Sequence, residues 1–257
     1  MNVAILGCGY VGLDLGRQLA AGDHRVVGVR RSDEGIRAIE DAGFDAVQAD
    51  VTASDDLTAV PSVDAVVYAA SAGGRDVESA RAAYVDGLGT AVETFAKRAD
   101  PPDRFVYTSS TGVYGDRDGA WVDERTPLDP TTEREAVLVE AERIAREETG
   151  AMDGTVARFA GLYGPDRYRM ERYLDEPVAE GYLNLVHRDD AAGAVRFLLA
   201  EDLARDDVVL VVDDEPVKRP ALAAWLADEC DVERPGVRPA GRSERARTSK
   251  RCSNEKL

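Results

Sequence analysis

Short apolar runs rich in β-branched residues alternate along this chain with longer segments whose apolar positions recur at helical spacing. The runs Val3–Leu6, Arg25–Val29, Ala46–Gln48, Ala65–Ala69, Arg104–Thr108 and Thr155–Arg158 predict strands. Between them, Val11–Ala21, Glu34–Ala42, Val77–Arg98 and Glu133–Glu148 predict helices. Such alternation builds βαβ units, whose parallel strands are covered on both faces and so lack a polar stripe. With right-handed crossovers, the expected fold is α/β, a doubly wound parallel sheet. The alternation weakens after about residue 160. There the segment Arg167–Pro177, a helix over Asp189–Ala200, a strand over Val208–Val212 and a helix over Pro220–Glu229 predict a smaller lobe. The length of 257 residues suits one large domain, or one plus such a lobe.

The first strand runs into Gly7-Cys8-Gly9-Tyr10-Val11-Gly12, and a helix follows at once. In that setting G-x-G-x-x-G reads as a Rossmann-type phosphate-binding turn. Gly7 permits the tight turn, Gly9 lets backbone approach a pyrophosphate, and Gly12 allows close helix packing. The helix N-terminus supplies free N–H groups and the positive end of its dipole. The expected organisation is therefore a dinucleotide-binding domain over 1–160 and a small substrate lobe over 161–257, interleaved with it. At the end of the second strand, NAD-preferring folds place an acidic residue on the ribose hydroxyls. This chain has Gly28-Val29-Arg30-Arg31-Ser32 instead. Two guanidiniums suit a 2′-phosphate, so NADP is the expected cofactor, with NAD as the alternative. The competing reading makes Arg30 and Arg31 surface charges on an acidic protein.

Charge narrows the partners. The chain carries 49 acids against 32 bases, a net charge of −17. Phosphate backbones would meet a repelling field, so nucleic acid is not expected. Acid excess with lysine only at 97, 218, 250 and 256 suits a halophilic surface, or an ordinary acidic protein from a GC-rich genome. Cys8, Cys230 and Cys252 are too few and scattered for a disulfide framework or a zinc site, so no metal is expected. No apolar run approaches the roughly 20 residues that span a bilayer, and the N-terminus lacks a basic n-region. A cytoplasmic protein with a small-molecule substrate and no membrane partner is expected, with a homodimer as an open assembly.

Several further motifs are similar to those of the extended and atypical short-chain dehydrogenase/reductases, the NAD-dependent epimerase/dehydratase group. Asp50-Val51 resembles the acidic residue after the third strand that contacts adenine. Tyr68-Ala69-Ala70-Ser71 resembles the small-residue strand end lining the cofactor. Tyr84-Val85-Asp86-Gly87 resembles N-V-x-G, with Tyr for Asn. Ser109-Ser110-Thr111-Gly112-Val113-Tyr114-Gly115 is close to S-S-x-x-V-Y-G. Arg158 to Pro165 resembles R-x-x-G-x-Y-G-P, and Asn184 to Asp190 resembles N-x-I-H-V-D-D. The resemblance implies an oxidoreductase or epimerase acting on a sugar nucleotide or another hydroxyl or carbonyl compound, with Ser110 in the active site.

It also implies a Y-x-x-x-K pair on the helix after Pro130. With Ala141-Glu142 matched to the family's A-E, Arg134 stands at the Tyr position and Leu138 at the Lys position. This loss resembles the atypical, YeeZ-like branch. Tyr114 and Tyr163 are the substitute candidates, with His187 and Arg134 behind them. Packing roles for the tyrosines, a satisfied loop histidine, and a non-catalytic NADP(H)-binding sensor or assembly protein are the alternatives. The tail Ser249 to Leu257 resembles S-K-R-x-S-N-x-K-L, which more chain follows in relatives, so a short or incomplete C-terminus is expected. Residues 242–257 carry six bases against two acids, read as a substrate-anion contact or as neutralisation of acidic neighbours.

Overall fold

The computed structural model describes residues 1–74, 76–168, 170–174, 177–239 and 248–257. Seven strands form the central sheet: β1 Asn2–Leu6, β2 Arg25–Arg30, β3 Asp45–Gln48, β4 Ala65–Tyr68, β5 Arg104–Ser110, β6 Asp153–Phe159 and β7 Asp207–Val211. Their order is β7-β6-β5-β4-β1-β2-β3, and every pairing is parallel. The expected doubly wound α/β sheet is thus the observed one. Chain order reverses between β1 and β4, which opens a crevice at the carboxyl ends of those strands.

Both faces are buried, and the strand alternation shows how. Val3 and Ile5 of β1 enter one apolar core, while Ala4 and Leu6 enter the other. The first core is covered by α1 (Tyr10–Ala21), α2 (Asp33–Asp41) and, later in the chain, a helix over Arg188–Ala200. The second is covered by the segment Val77–Ala96 and the helix Glu133–Glu147. The predicted continuous helix Val77–Arg98 is broken. It comprises α3 (Val77–Arg81), a π-helical turn (Ala82–Asp86) and α4 (Gly87–Ala96). The Tyr68 hydroxyl donates to the Ala83 carbonyl in that turn at 2.5 Å, which ties the looser winding to the end of β4.

The helix Glu133–Glu147, α5, starts where its sequence says it should. The Thr132 side chain accepts from the Glu135 N–H, and the Glu135 carboxylate accepts from the Thr131 and Thr132 N–H groups. Arg188–Ala200 is α6 and Arg219–Glu229 is α7.

The later part of the chain is interleaved with the first. Its strand β7 extends the central sheet beside β6, rather than belonging to the lobe as the sequence pattern suggests, and α6 packs on α1. What remains is a lobe of two-stranded pairs. Gly161–Tyr163 pairs with Leu185–His187, Tyr182–Leu183 with Val217–Lys218, and Val178–Ala179 with Val237–Arg238. Tyr173, Val178, Ala223 and Leu226 form its small core. The described part of the tail returns to the first domain, where Arg251–Cys252 pairs with Trp121–Val122. No helix among the described residues is long and apolar enough to cross a membrane.

Candidate functional site

The glycine turn is tied to β2, since the Gly7 and Cys8 N–H groups both donate to the Val29 carbonyl, at 3.2 and 3.1 Å. Gly7 sits at φ +80°, and a Cβ there would lie 2.2 Å from the Ala70 Cα. Both facts demand glycine. A Cβ on Gly12 would press on Ile5 at 3.0 Å, where α1 crosses its own strand. Gly9 differs: its added Cβ would meet nothing tighter than a guanidinium nitrogen of Arg30, at 3.2 Å. Helix α1 also starts at Gly9 without a side-chain cap and with no acid in its first turn, so its N-terminal N–H groups are left for something else.

A groove of about 590 Å³ opens there, lined by Gly7, Gly9, Arg30, Arg31, Ser32, Asp50, Val51 and Ala70, together with Thr52, Ser71 and Gly73. Arg30 donates to the Cys8 carbonyl at 3.1 Å, which folds it over the glycine turn. Arg31 reaches across the groove, its guanidinium within 3.9 Å of where a Gly73 Cβ would be. The Asp50 carboxylate accepts from the Thr52 N–H and hydroxyl, which hold it below the usual carboxylate range. An uncapped helix end, a cradle that a Cβ on Gly9 would fill and two arginines on one wall fit an anionic dinucleotide.

Other predicted residues face elsewhere. Val11 and Gly12 are buried in the first turn of α1, and Ala69 pairs through its N–H with the Leu6 carbonyl. Tyr10 turns to the lobe. Its hydroxyl donates to the Pro165 carbonyl at 2.9 Å, and the Arg167 and Arg188 guanidiniums lie over its ring at 4.0 and 5.4 Å.

Of the acid–base candidates, Ser110 is at the carboxyl end of β5, half-buried, with its Oγ accepting from the Gly112 N–H at 3.1 Å. Tyr114 does not reach the crevice. It is fully buried, its hydroxyl donates to the Asp123 carbonyl at 2.8 Å and accepts from Arg158 at 2.6 Å, and burial pushes its pKa well up. Its expected catalytic role therefore gives way to a structural one. Tyr163 is half-buried and packs edge-on against His187, ring centres 5.2 Å apart. Burial, then the facing Asp213 carboxylate, push its pKa up, and Asp213 is itself raised by burial. An acidic neighbour is the wrong sign for activating a phenol. His187 accepts the Asp189 N–H and caps α6.

Arg134 donates to the Asp76 carbonyl at 3.1 Å and lies 5.8 Å over the Tyr84 ring. The Tyr84 hydroxyl accepts from the Ala72 N–H at 3.3 Å. Leu138 packs against the core. Arg134, at one of the two lost family positions, is bonded to the loop that leads from the groove wall into α3.

Sequence reasoning left a buried network unnoticed. Glu142 on α5 takes both the Nε and Nη2 of Arg158, at 3.0 and 2.6 Å, and the Ser109 hydroxyl at 2.6 Å. Both charged side chains are only 5% exposed. The signal was present in Ala141-Glu142 and the leading Arg158, but a pairing over 16 residues has no local spacing. The tail is another case. Lys250 is buried and donates to the Gly115 carbonyl at 3.0 Å, and burial pushes its pKa down. Lys256 pairs with Asp207 at 2.7 Å, and Arg251 donates to the Gly119 carbonyl. The bases at 242–247 lie outside the described residues. Among the described residues no group of metal-ligating side chains is present.

A doubly wound sheet with a glycine-turn groove at its switch point defines a dinucleotide-binding class of protein. Within that class the chain belongs to the NAD-dependent epimerase/dehydratase family, whose profile matches residues 3–210. Protein YeeZ of Escherichia coli K12 is 33% identical over 205 residues, 77% of this chain and 73% of YeeZ. A Methylobacillus flagellatus protein assigned to the NAD-dependent epimerases/dehydratases is 30% identical, with a TM-score of 0.79 over 98% of this chain and 89% of that one. DesIV, the dTDP-glucose 4,6-dehydratase of Streptomyces venezuelae, solved with NAD, shares the fold at 19% identity, with a TM-score of 0.78 over 98% of this chain and 88% of that one.

Proposed function

We propose that the protein binds NADP(H) in the groove at Gly7–Gly12 and acts as an oxidoreductase or epimerase on a small hydroxyl or carbonyl compound. The observation that carries this is the groove wall formed by Arg30, Arg31 and Ser32, which stand at the end of β2 in place of the acidic residue that holds a ribose 2′-hydroxyl. When bound, the nicotinamide would supply hydride acceptance and return. The chain's own contribution is orientation: Gly9 and the α1 N-terminus hold the pyrophosphate, Arg30 and Arg31 the 2′-phosphate, and Asp50 the adenine end. Ser110 would donate a hydrogen bond to the reacting oxygen. With Arg134 and Leu138 at the Tyr and Lys positions, proton transfer lacks the usual pair, and turnover is expected to be slow.

Calorimetric titration with NADP⁺ and NAD⁺ tests the reading. NADP⁺ should bind more tightly, and Arg30→Ala should erase most of the preference, worth at most about 1.5–3 kcal/mol per charge-assisted contact. Equal affinities in the wild type would refute the preference.

The sealed Tyr114 and the packed Leu138 favour a second reading, a dinucleotide-binding sensor without chemistry. Hydride exchange over a panel of carbonyl compounds separates the two. Arg134→Tyr with Leu138→Lys should raise exchange if the pocket is still competent. No exchange in either form leaves the sensor.

A further inference from the structure

A second cavity, of about 170 Å³, lies in the lobe next to the glycine turn. Tyr163, Arg167, Tyr168, Arg172, Tyr173 and Leu185 are on its walls. The link to the groove is direct, because the Arg167 guanidinium that rims the cavity sits 4.0 Å over the ring of Tyr10, the residue after Gly9.

Its charge is contrary to that of the molecule. The chain has 49 acids against 32 bases, yet among the described residues no carboxylate lines this cavity and two guanidiniums do. Several arginines elsewhere pair with carboxylates, Arg81 with Glu140, Arg234 with Asp228, and Arg205 with Asp153 and Asp202. Among the described residues, Arg167 and Arg172 form no ion pair. Arg167 lies over Tyr10, and Arg172 stacks on the Tyr173 ring at 4.8 Å and donates to its hydroxyl at 2.8 Å. A guanidinium held over an aromatic ring keeps further N–H groups for an acceptor. In so acidic a protein, two guanidiniums without a carboxylate partner among the described residues, on a cavity that no described carboxylate lines, mark a place for an anion from outside.

Size decides which anion. Pockets that hold drug-sized ligands run to about 300–1,000 Å³, so this cavity is too small for a nucleoside diphosphate. A single tetrahedral oxyanion fits, and several oxygens match two guanidiniums. We propose that the cavity binds the phosphate of a small phosphomonoester. Resting on the dinucleotide reading of the neighbouring groove, that compound is the substrate, with its phosphate held in the lobe and its reacting carbon towards Ser110.

The test is calorimetry on the full chain at fixed potassium chloride concentration, with inorganic phosphate, UDP-glucose and NADP⁺ as separate titrants. Phosphate should bind at one site per chain. Arg167→Gln and Arg172→Gln should each weaken it about tenfold or more, while leaving NADP⁺ affinity within twofold. The double variant Arg30→Ala, Arg31→Ala should do the reverse. Absence of phosphate binding overturns the proposal. So does phosphate binding that is lost with Arg30 and Arg31 instead, which would place it in the groove. Binding of UDP-glucose through Arg167 and Arg172 without phosphate binding overturns the size argument. Phosphate binding with no NADP⁺ binding would keep the anion cavity and remove the dinucleotide reading on which the substrate role depends. Circular dichroism of each variant excludes loss of fold.

Discussion

Replacing Glu142 by alanine takes the counter-ion from a guanidinium that water cannot reach. In the folded protein the Arg158 Nε and Nη2 donate to the two carboxylate oxygens, and Ser109 donates to one of them. Only the Tyr114 hydroxyl would remain for Arg158, at 2.6 Å. Breaking a buried pair by removing one partner costs about 3–5 kcal/mol. Leaving the Ser109 hydroxyl without an acceptor adds about 1 kcal/mol or more. A total of about 4–6 kcal/mol is a large share of the about 5–15 kcal/mol that holds a typical protein folded. At about 2–4 °C per kcal/mol for a chain of this size, the melting temperature should fall by roughly 8–24 °C. Urea unfolding followed by circular dichroism measures the change. Glu142→Leu combined with Arg158→Met should be less damaging than Glu142→Ala alone, since it removes the charge that would be stranded. A loss below about 1 kcal/mol in Glu142→Ala would refute the claim that this network is sealed from solvent.

Two other outcomes follow from the same geometry. Gly7→Ala should destabilise the fold, because its Cβ would fall 2.2 Å from Ala70 backbone at a positive φ. Gly9→Val should keep the wild-type melting temperature and lose dinucleotide binding, because only the Arg30 side chain must move. Thermal unfolding with NADP⁺ titration checks both. Asp213 titrates above the ordinary carboxylate value, chiefly through burial. The folded state therefore holds its proton to higher pH than the unfolded chain, and stability falls as pH rises from the ordinary value through the raised one. Asp213→Asn should accordingly be more stable than the wild type near neutral pH, with the gain vanishing below the ordinary carboxylate range. Urea midpoints across pH would show it.

Elements that rest on local physics were legible along the chain. β-branched runs had to be strands and the periodic segments between them helices. The glycine spacing after Leu6 had to be a tight turn into a helix, since only glycine accepts the Gly7 backbone angle and its approach to Ala70. Thr132 with Glu135 announced the start of α5. The family motifs pointed to Ser110, and the structure sets it at the end of β5. Whatever depends on residues far apart in the chain was set by the fold. The fold took the strand at Asp207–Val211 out of the lobe and laid it beside β6, because that strand's neighbour is chosen by packing and not by its own pattern. It sealed Tyr114 with Arg158 and turned Tyr10 from the groove to the lobe. It also gave the Arg158 charge to Glu142, and brought together, from residues that look unrelated along the sequence, a cavity lined by Arg167 and Arg172 and by no carboxylate among the described residues. Spacing reports which face of an element a residue occupies. Which charge it meets there is set by the fold, because burial and distance, rather than composition, fix how strongly two charges interact.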